Sequence, residues 1–376
     1  AAGRQVRVHG GIVEAYTPPI VPPPASELPV IGRFFRKWFG GARGRAAIAQ
    51  DRLPPLQSLP PPTIDGAAPP GALAADDVED RFYRLVFAIG PSRDPGLSPT
   101  EQTVLRRVRE TFGGERFDVG TLPRLPAVVP QLMRSLRNDD TDSRTLAEQI
   151  ARDTVLVGEI IRVANSAYFR TARPVTSLPQ AITLLGQDGL RRVVMQMVMR
   201  PILRSDDSVA SQLAGERLWE HAERCARACI FLGRGACDPF EAFLAGLVSQ
   251  TGAQAILREI ERLPDAASIA FSRPFVAALA QQVERLSLHA ARHWNFPLRV
   301  VQALAERADP ADAGARTPLG RALLAASRVA MLDVLADHGA AEADAVLLAT
   351  PAQGFGQELL LACRDELRRT TTPAEA

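Results

Sequence analysis

The chain has 376 residues and a mass of 40.6 kDa; 46% of the residues are hydrophobic, 23% are charged, and 44 basic side chains stand against 42 acidic ones, for a net charge of +2 and a mean hydropathy of -0.02. The composition is that of a soluble globular protein, and a balance so close to neutral excludes a global field that would draw the chain onto nucleic acid. Four cysteines (Cys225, Cys229, Cys237, Cys363) are too few for an extracellular disulfide scaffold, and no run of roughly 18 apolar residues offers a spanning helix, so the cytoplasm is the expected compartment.

Residues 1–79 carry 13 of the 30 prolines, in clusters such as Pro22-Pro23-Pro24 and Pro60-Pro61-Pro62. Each proline fixes φ and removes a backbone donor, so this arm reads as extended linker. The exception is a short amphipathic helix over 31–39: Ile31, Phe34, Phe35, Trp38 and Phe39 fall at helical spacing, Arg33, Arg36 and Lys37 point elsewhere, and Gly40-Gly41 ends it. Such a basic, aromatic segment suits docking on the chain's own body or in a partner groove, with an anionic membrane surface, such as that of the inner membrane, as the alternative occupant. The absence of a charged n-region leading into an apolar core gives no expectation of a signal peptide.

After Asp76 helical periodicity takes over. Phe82, Leu85, Val86 and Ile89 mark one lead-in helix. Ser98-Pro99-Thr100-Glu101 supplies a cap and a proline first turn for a second, with Val104, Leu105 and Val108 on its apolar face. From Leu122 to about 263 the helical pattern continues, with turn signals at Asn138-Asp139-Asp140, Arg173-Pro174, Gly186 and Gly233–Gly235. Ala277–Leu286, Val300–Leu304, Leu319–Leu335 and Phe355–Leu367 predict four more helices, divided by Pro297, Pro310, Pro318 and Pro351. Without an alternating strand run, an internal repeat or sustained heptads, the fold class is all-α, a compact multi-helix bundle. Its expected parts are a 1–79 arm, an 80–117 lead-in, a 118–263 core and a 264–376 C-terminal helical part.

Common catalytic signatures are missing: no Walker loop, no G-x-G-x-x-G after a strand, and no G-x-S-x-G elbow. His221, Cys225 and Cys229 share one helical face, yet structural zinc wants four ligands with paired loop spacing, and core packing is the better reading of buried cysteine. His289 and His293 form a second i, i+4 pair, but no Glu follows His289, which points to an exposed or capping pair. The helix around Met195, Met197 and Met199 is apolar all round and is expected to be buried.

The string Leu-Pro-Arg-Leu-Pro-Ala-Val-Val-Pro-Gln-Leu-Met-Arg-Ser-Leu from Leu122 leads through Ala147, Ile150, Asp153 and Leu156 to Ile161-Arg162-Val163-Ala164-Asn165-Ser166-Ala167-Tyr168-Phe169. Val175-Thr176-Ser177-Leu178, Leu184-Leu185-Gly186, Gly189-Leu190-Arg191, Leu218-Trp219-Glu220-His221 and Glu241-Ala242-Phe243-Leu244-Ala245-Gly246-Leu247 follow in order. This succession resembles the HDOD domain, over about 118–263, with Asn165, Ser166, Leu185 and Gly186 in its signature. The resemblance loosens beyond 263, where Trp294-Asn295-Phe296-Pro297 is the best anchor.

The resemblance implies an all-helical offshoot of the HD metal-dependent phosphohydrolases, used in bacteria as a signalling output or scaffold module. In the catalytic relatives a His-Asp pair and further His and Asp residues bind the metals that activate water. Here Leu247-Val248-Ser249-Gln250-Thr251-Gly252 stands where Leu-Leu-His-Asp-Ile-Gly is expected, so Ser249 and Gln250 replace the essential pair. His221 matches the first histidine, and Glu306-Arg307 stand where paired histidines are expected. The expected function is therefore a non-enzymatic adaptor, with no cofactor and no catalytic or metal-ligating residue. Its partners are other signalling proteins such as cyclic-dinucleotide enzymes, receivers or sensors, and no nucleic acid is expected. The alternative is a residual phosphohydrolase or cyclic-dinucleotide-binding protein using His221. Asn165-Ser166 reads as a helix cap or turn, and Asp153 and Arg162 as internal salt partners.

Overall fold

The computed structural model describes residues 75–91, 96–112, 150–151, 153–166, 173–204, 209–262, 270–309, 316–341 and 354–371. The proline-rich stretch through residue 74, the aromatic segment 31–39 and the expected turn at Asn138–Asp140 lie outside them. The described residues form helices α1 (Ala75–Phe87), α2 (Pro99–Phe112), α3 (Thr154–Ala164), α4 (Leu178–Leu203), α5 (Val209–Leu232), α6 (Pro239–Val248), α7 (Ala253–Glu261), α8 (Arg273–His293), α9 (Leu298–Ala308), α10 (Pro318–Asp337) and α11 (Gln357–Thr371). Helix α1 begins one residue ahead of Asp76; α8, α9 and α10 contain the segments read at 277–286, 300–304 and 319–335, and α11 starts two residues later than the expected Phe355.

Local chemistry sets where these helices begin. Ser98 and Glu101 form a reciprocal capping box at α2: Glu101 N donates to Ser98 Oγ at 3.3 Å and Ser98 N to Glu101 Oε2 at 2.5 Å. Asp238 accepts from Phe240 N and Glu241 N at 3.0 and 2.8 Å, and Pro239 opens α6. Thr317 Oγ1 accepts from Gly320 N at the start of α10. Asp153 Oδ1 accepts from Leu156 N at 3.1 Å, so its carboxylate caps α3, while Arg162 pairs with Glu159 on the same helix at 2.7 Å.

Helix α4 is two helices in one. Gly186 sits at φ 66°, ψ 176° and breaks the ladder at the expected turn, a left-handed conformation costly for a residue with a Cβ. The half after the break buries Met195 and Met199, with Met197 partly buried.

The core lies around α5, which packs on α6 and α10; α8 packs on α9, α3 on α4, and α1 against α5, α8 and α10. Helix α6 is apolar but for Glu241 and buried at Phe240 and from Ala242 to Val248, as a central helix must be. One strand pair interrupts the all-helical pattern: β1 (Gly90–Pro91) runs parallel to β2 (Ala270–Phe271) for two residues each. Arg84 NH1 donates to Gly90 O at 2.8 Å and Phe271 O at 3.0 Å, and so fixes the end of α1 beside the start of α8.

Candidate functional site

His221, near the middle of α5, is completely buried, with the Phe82 ring centroid 4.9 Å from its own. Its Nε2 lies 3.3 Å from both the carbonyl oxygen and the hydroxyl of Ser327 on α10, which makes Nε2–H the donor to the carbonyl. Burial, and after it the positive charge of Arg307, pushes the imidazole pKa down to about 3, so the ring is neutral at physiological pH.

Ser249 and Gln250 occupy the turn between α6 and α7. Ser249 Oγ donates back to Gly246 O at 2.8 Å and lies 4.0 Å from Cys225 Sγ. Gln250 Oε1 accepts from the Tyr83 hydroxyl at 3.0 Å, a bond reaching across from α1. Gly252 N donates to Ser287 Oγ of α8 at 3.0 Å, so the turn is held from two sides. Burial raises the Tyr83 pKa far above its ordinary value, and the phenol stays a donor.

Arg307 closes the group from α9. It is 4% exposed, its Nε donates to Glu284 Oε1 at 2.6 Å, and its NH1 donates to Ser327 Oγ at 2.6 Å. Burial alone would lower its pKa, but Glu284 outweighs that and the guanidinium stays charged. The Ser327 hydroxyl thus links Arg307 to His221. Glu306 is not brought to this centre. Adjacent helical positions point about 100° apart, so with Arg307 turned inward Glu306 faces outward, where its carboxylate accepts from Thr317 N and Thr317 Oγ1 at 3.0 to 3.2 Å.

Cys225 and Cys229 are completely buried on the His221 face of α5, and Cys363 of α11 is buried as well, in keeping with core packing. His289 and His293 are exposed. Asn165 works as a clamp: its Nδ2 donates to Ile161 O at 3.0 Å and Val175 O at 2.7 Å, and its Oδ1 accepts from Val175 N at 2.7 Å. The side-chain amide imitates a peptide unit, tying the end of α3 to the strand-like approach to α4; Ser166 completes the turn through its backbone N–H to Val163 O.

A divalent metal pair does not fit this centre. It needs several oxygen and nitrogen ligands converging on one spot, whereas the residues here are one imidazole, the Ser249 hydroxyl bonded to its own helix, the Ser327 hydroxyl bonded to Arg307, an amide oxygen bonded to Tyr83, the single carboxylate of Glu284 already paired with Arg307, and that fixed guanidinium, whose charge repels a cation. Among the described residues no three His, Cys, Asp or Glu side chains are grouped to hold a metal ion.

Tyr83, Glu284 and Ser327 carry no sequence motif. Ser327 lies in the apolar run of α10, and Glu284 lies on a helix that otherwise reads as amphipathic, so only the folded chain reveals their meeting with His221, Gln250 and Arg307.

An all-helical bundle around a buried polar centre of this make-up defines a domain of the HD-related class. The chain belongs to the HDOD domain family, whose profile matches residues 122–310. The match runs past 263 and includes α8 and α9, hence Glu284 and Arg307. The fold is similar to that of an HDOD domain protein of unknown function from Geobacter sulfurreducens, at 19% identity and a TM-score of 0.52, covering 72% of this chain and 97% of that one. It is likewise similar to that of a proposed metal-dependent phosphohydrolase from Shewanella amazonensis SB2B, at 18% identity and a TM-score of 0.52, covering 73% and 99%. An uncharacterized protein of Treponema pallidum (strain Nichols) is 22% identical over 178 residues, which are 46% of this chain and 34% of that protein. The match therefore spans about a third of that relative's length. No described helix is long and apolar enough to cross a membrane.

Proposed function

We propose that the chain is a non-catalytic bacterial signal-transduction adaptor that works by binding other regulatory proteins. The observation that carries this reading is the buried Arg307, paired with the partly exposed Glu284 and bonded to the Ser327 hydroxyl beside His221, at a position where the resemblance to the catalytic relatives expects a metal-binding histidine. A phosphohydrolase centre must admit a phosphoester and polarise a water, and this centre offers an internal cation already neutralised by an internal anion. Partner recognition then belongs to the outer surface, with the aromatic, basic residues Phe34, Phe35, Arg36, Lys37, Trp38 and Phe39 as a second docking element for protein or membrane.

The test is metal analysis of the purified chain together with turnover assays on phosphodiester and cyclic-dinucleotide substrates, for the wild type and His221→Ala. Stoichiometric manganese or zinc with turnover lost in the variant would overturn the adaptor reading in favour of a residual hydrolase. The expected result is neither metal nor turnover, with specific protein partners recovered on the full chain.

A further inference from the structure

Ion pairs on the described surface take up many of its arginines: Arg84, Arg162, Arg191, Arg204, Arg262, Arg273, Arg299, Arg368 and Arg369 each reach a carboxylate. Arg285 and Arg292, like Arg106, Arg107, Arg192 and Arg258, do not, but Arg285 and Arg292 share one groove. They lie two turns apart on the exposed side of α8 and line a groove of about 380 Å³ against α9. Among the described residues neither guanidinium is bonded to an acceptor, and the Gln302 amide, which lines the same groove from α9, has no protein partner either. The groove's own acids do not answer these donors. Glu306 accepts from the Thr317 backbone and hydroxyl instead, and Asp309 follows α9 at the end away from Leu298.

The floor between the donors is apolar, made by Leu288, Ala305 and Ala308. Beyond the lining, at the start of α9, Leu298 is 80% exposed, the most exposed large hydrophobic side chain of the described residues. It lies one turn before Gln302 and so on the same face of α9. An exposed leucine on the helix face that carries Gln302, with two guanidinium groups lining the groove on α8, favours a ligand that brings carboxylates and an apolar side chain together.

We infer that the α8–α9 groove is the docking face of the adaptor and that it takes an acidic segment of a partner protein, with carboxylates on Arg285 and Arg292 and an apolar side chain against Leu298 and the floor. This rests on the adaptor reading and names its surface. Arginine suits the task because its planar fork binds carboxylates bidentately, and recognition of this kind weakens as salt screens the exposed charges.

The probe is a fluorescein-labelled peptide of about twelve residues with Leu at helical spacing and Glu between, compared with its Gln-for-Glu twin on the full chain. The Glu peptide should bind, and binding should fall by about tenfold or more in Arg285→Glu/Arg292→Glu and in about 0.5 M salt. Arg258→Glu on α7 should bind as the wild type does, and matching melting curves will show that all variants are folded. No binding of the Glu peptide, equal binding of the Gln twin, or an unaltered double variant would overturn the groove. Capture of native partners by wild type and double variant separates the two readings: partners held equally by both leave the adaptor standing without this groove, and no partner at all removes the adaptor.

Discussion

At His221 the sign of the pH dependence follows from burial. The folded ring binds its proton only near pH 3, whereas an unfolded histidine does so near 6.5. Between those values the unfolded chain carries one more proton at this site, so stability is present above about 6.5 and falls by about 1.4 kcal/mol for each unit of acidification below it. Denaturant unfolding from pH 7 to 5 should show this slope in the wild type and lose that share of it in His221→Gln; parallel profiles would remove the argument. Arg307 gives the complementary case. Arg307→Met leaves the partly exposed Glu284 without its partner, at a cost below the about 3–5 kcal/mol of a fully buried broken pair because water reaches the carboxylate. Arg307→Met/Glu284→Leu removes both charges and should recover much of that loss, read as a return of the urea midpoint with an unchanged m-value.

At the scale of elements, the tight crossing of α5 and α6 decides whether the centre can form. A Cβ on Gly246 would lie 2.6 Å from Ala226 N and Cα and from Cys225 C. Gly246→Ala must push α6 away from α5 and carry Ser249 and Gln250 with it, at a cost of about 1–3 kcal/mol. The readout is the melting temperature together with faster amide exchange across 246–252, and a melting curve that does not move would refute the close crossing. Helix identity was legible for definite reasons: α2 announces itself by its cap and proline first turn at Ser98–Glu101, and Gly186 marks the break in α4. The centre was legible in part. His221, Ser249, Gln250 and Arg307 were found through the order of family motifs, but Glu306 was grouped with them because a sequence position says nothing of which side of α9 it faces. Tyr83 and Glu284 were missed because their bonds to Gln250 and Arg307 join separate helices. The strand pair escaped because two residues on each side leave no alternation to read.

For the whole molecule, the question is where the folding unit begins. The family match starts at residue 122, yet α1 and α2 lie ahead of it and are built into the body. Phe82 and Tyr83 are fully buried, Phe82 against His221 and Tyr83 bonded to Gln250, and Arg217 of α5 donates to Leu85 O. Helix α2 adds a long-range tie, since Glu101 Oε1 accepts from Ser272 N at 2.5 Å. Burial would raise that carboxyl's pKa, but the N–H groups of Ser272 and Ser98 more than offset it and hold it below the ordinary carboxylate value. Its contribution is present above the unfolded value near 4.3 and is lost as acid protonates it. Removing residues 75–112 therefore strips two aromatic side chains from the core, each worth about 3–5 kcal/mol by the cost of truncation to alanine, and leaves His221 and Gln250 open to water. Set against a total stability of about 5–15 kcal/mol, that loss is enough to unfold the remainder. A chain beginning at 114 should bind a hydrophobic dye and lack a cooperative melt, whereas Tyr83→Phe in the full chain should melt cooperatively after losing one bond, about 1 kcal/mol. A cooperative melt of the shortened chain at the full-length temperature would place the start of the folding unit at the family boundary and leave α1 and α2 outside it.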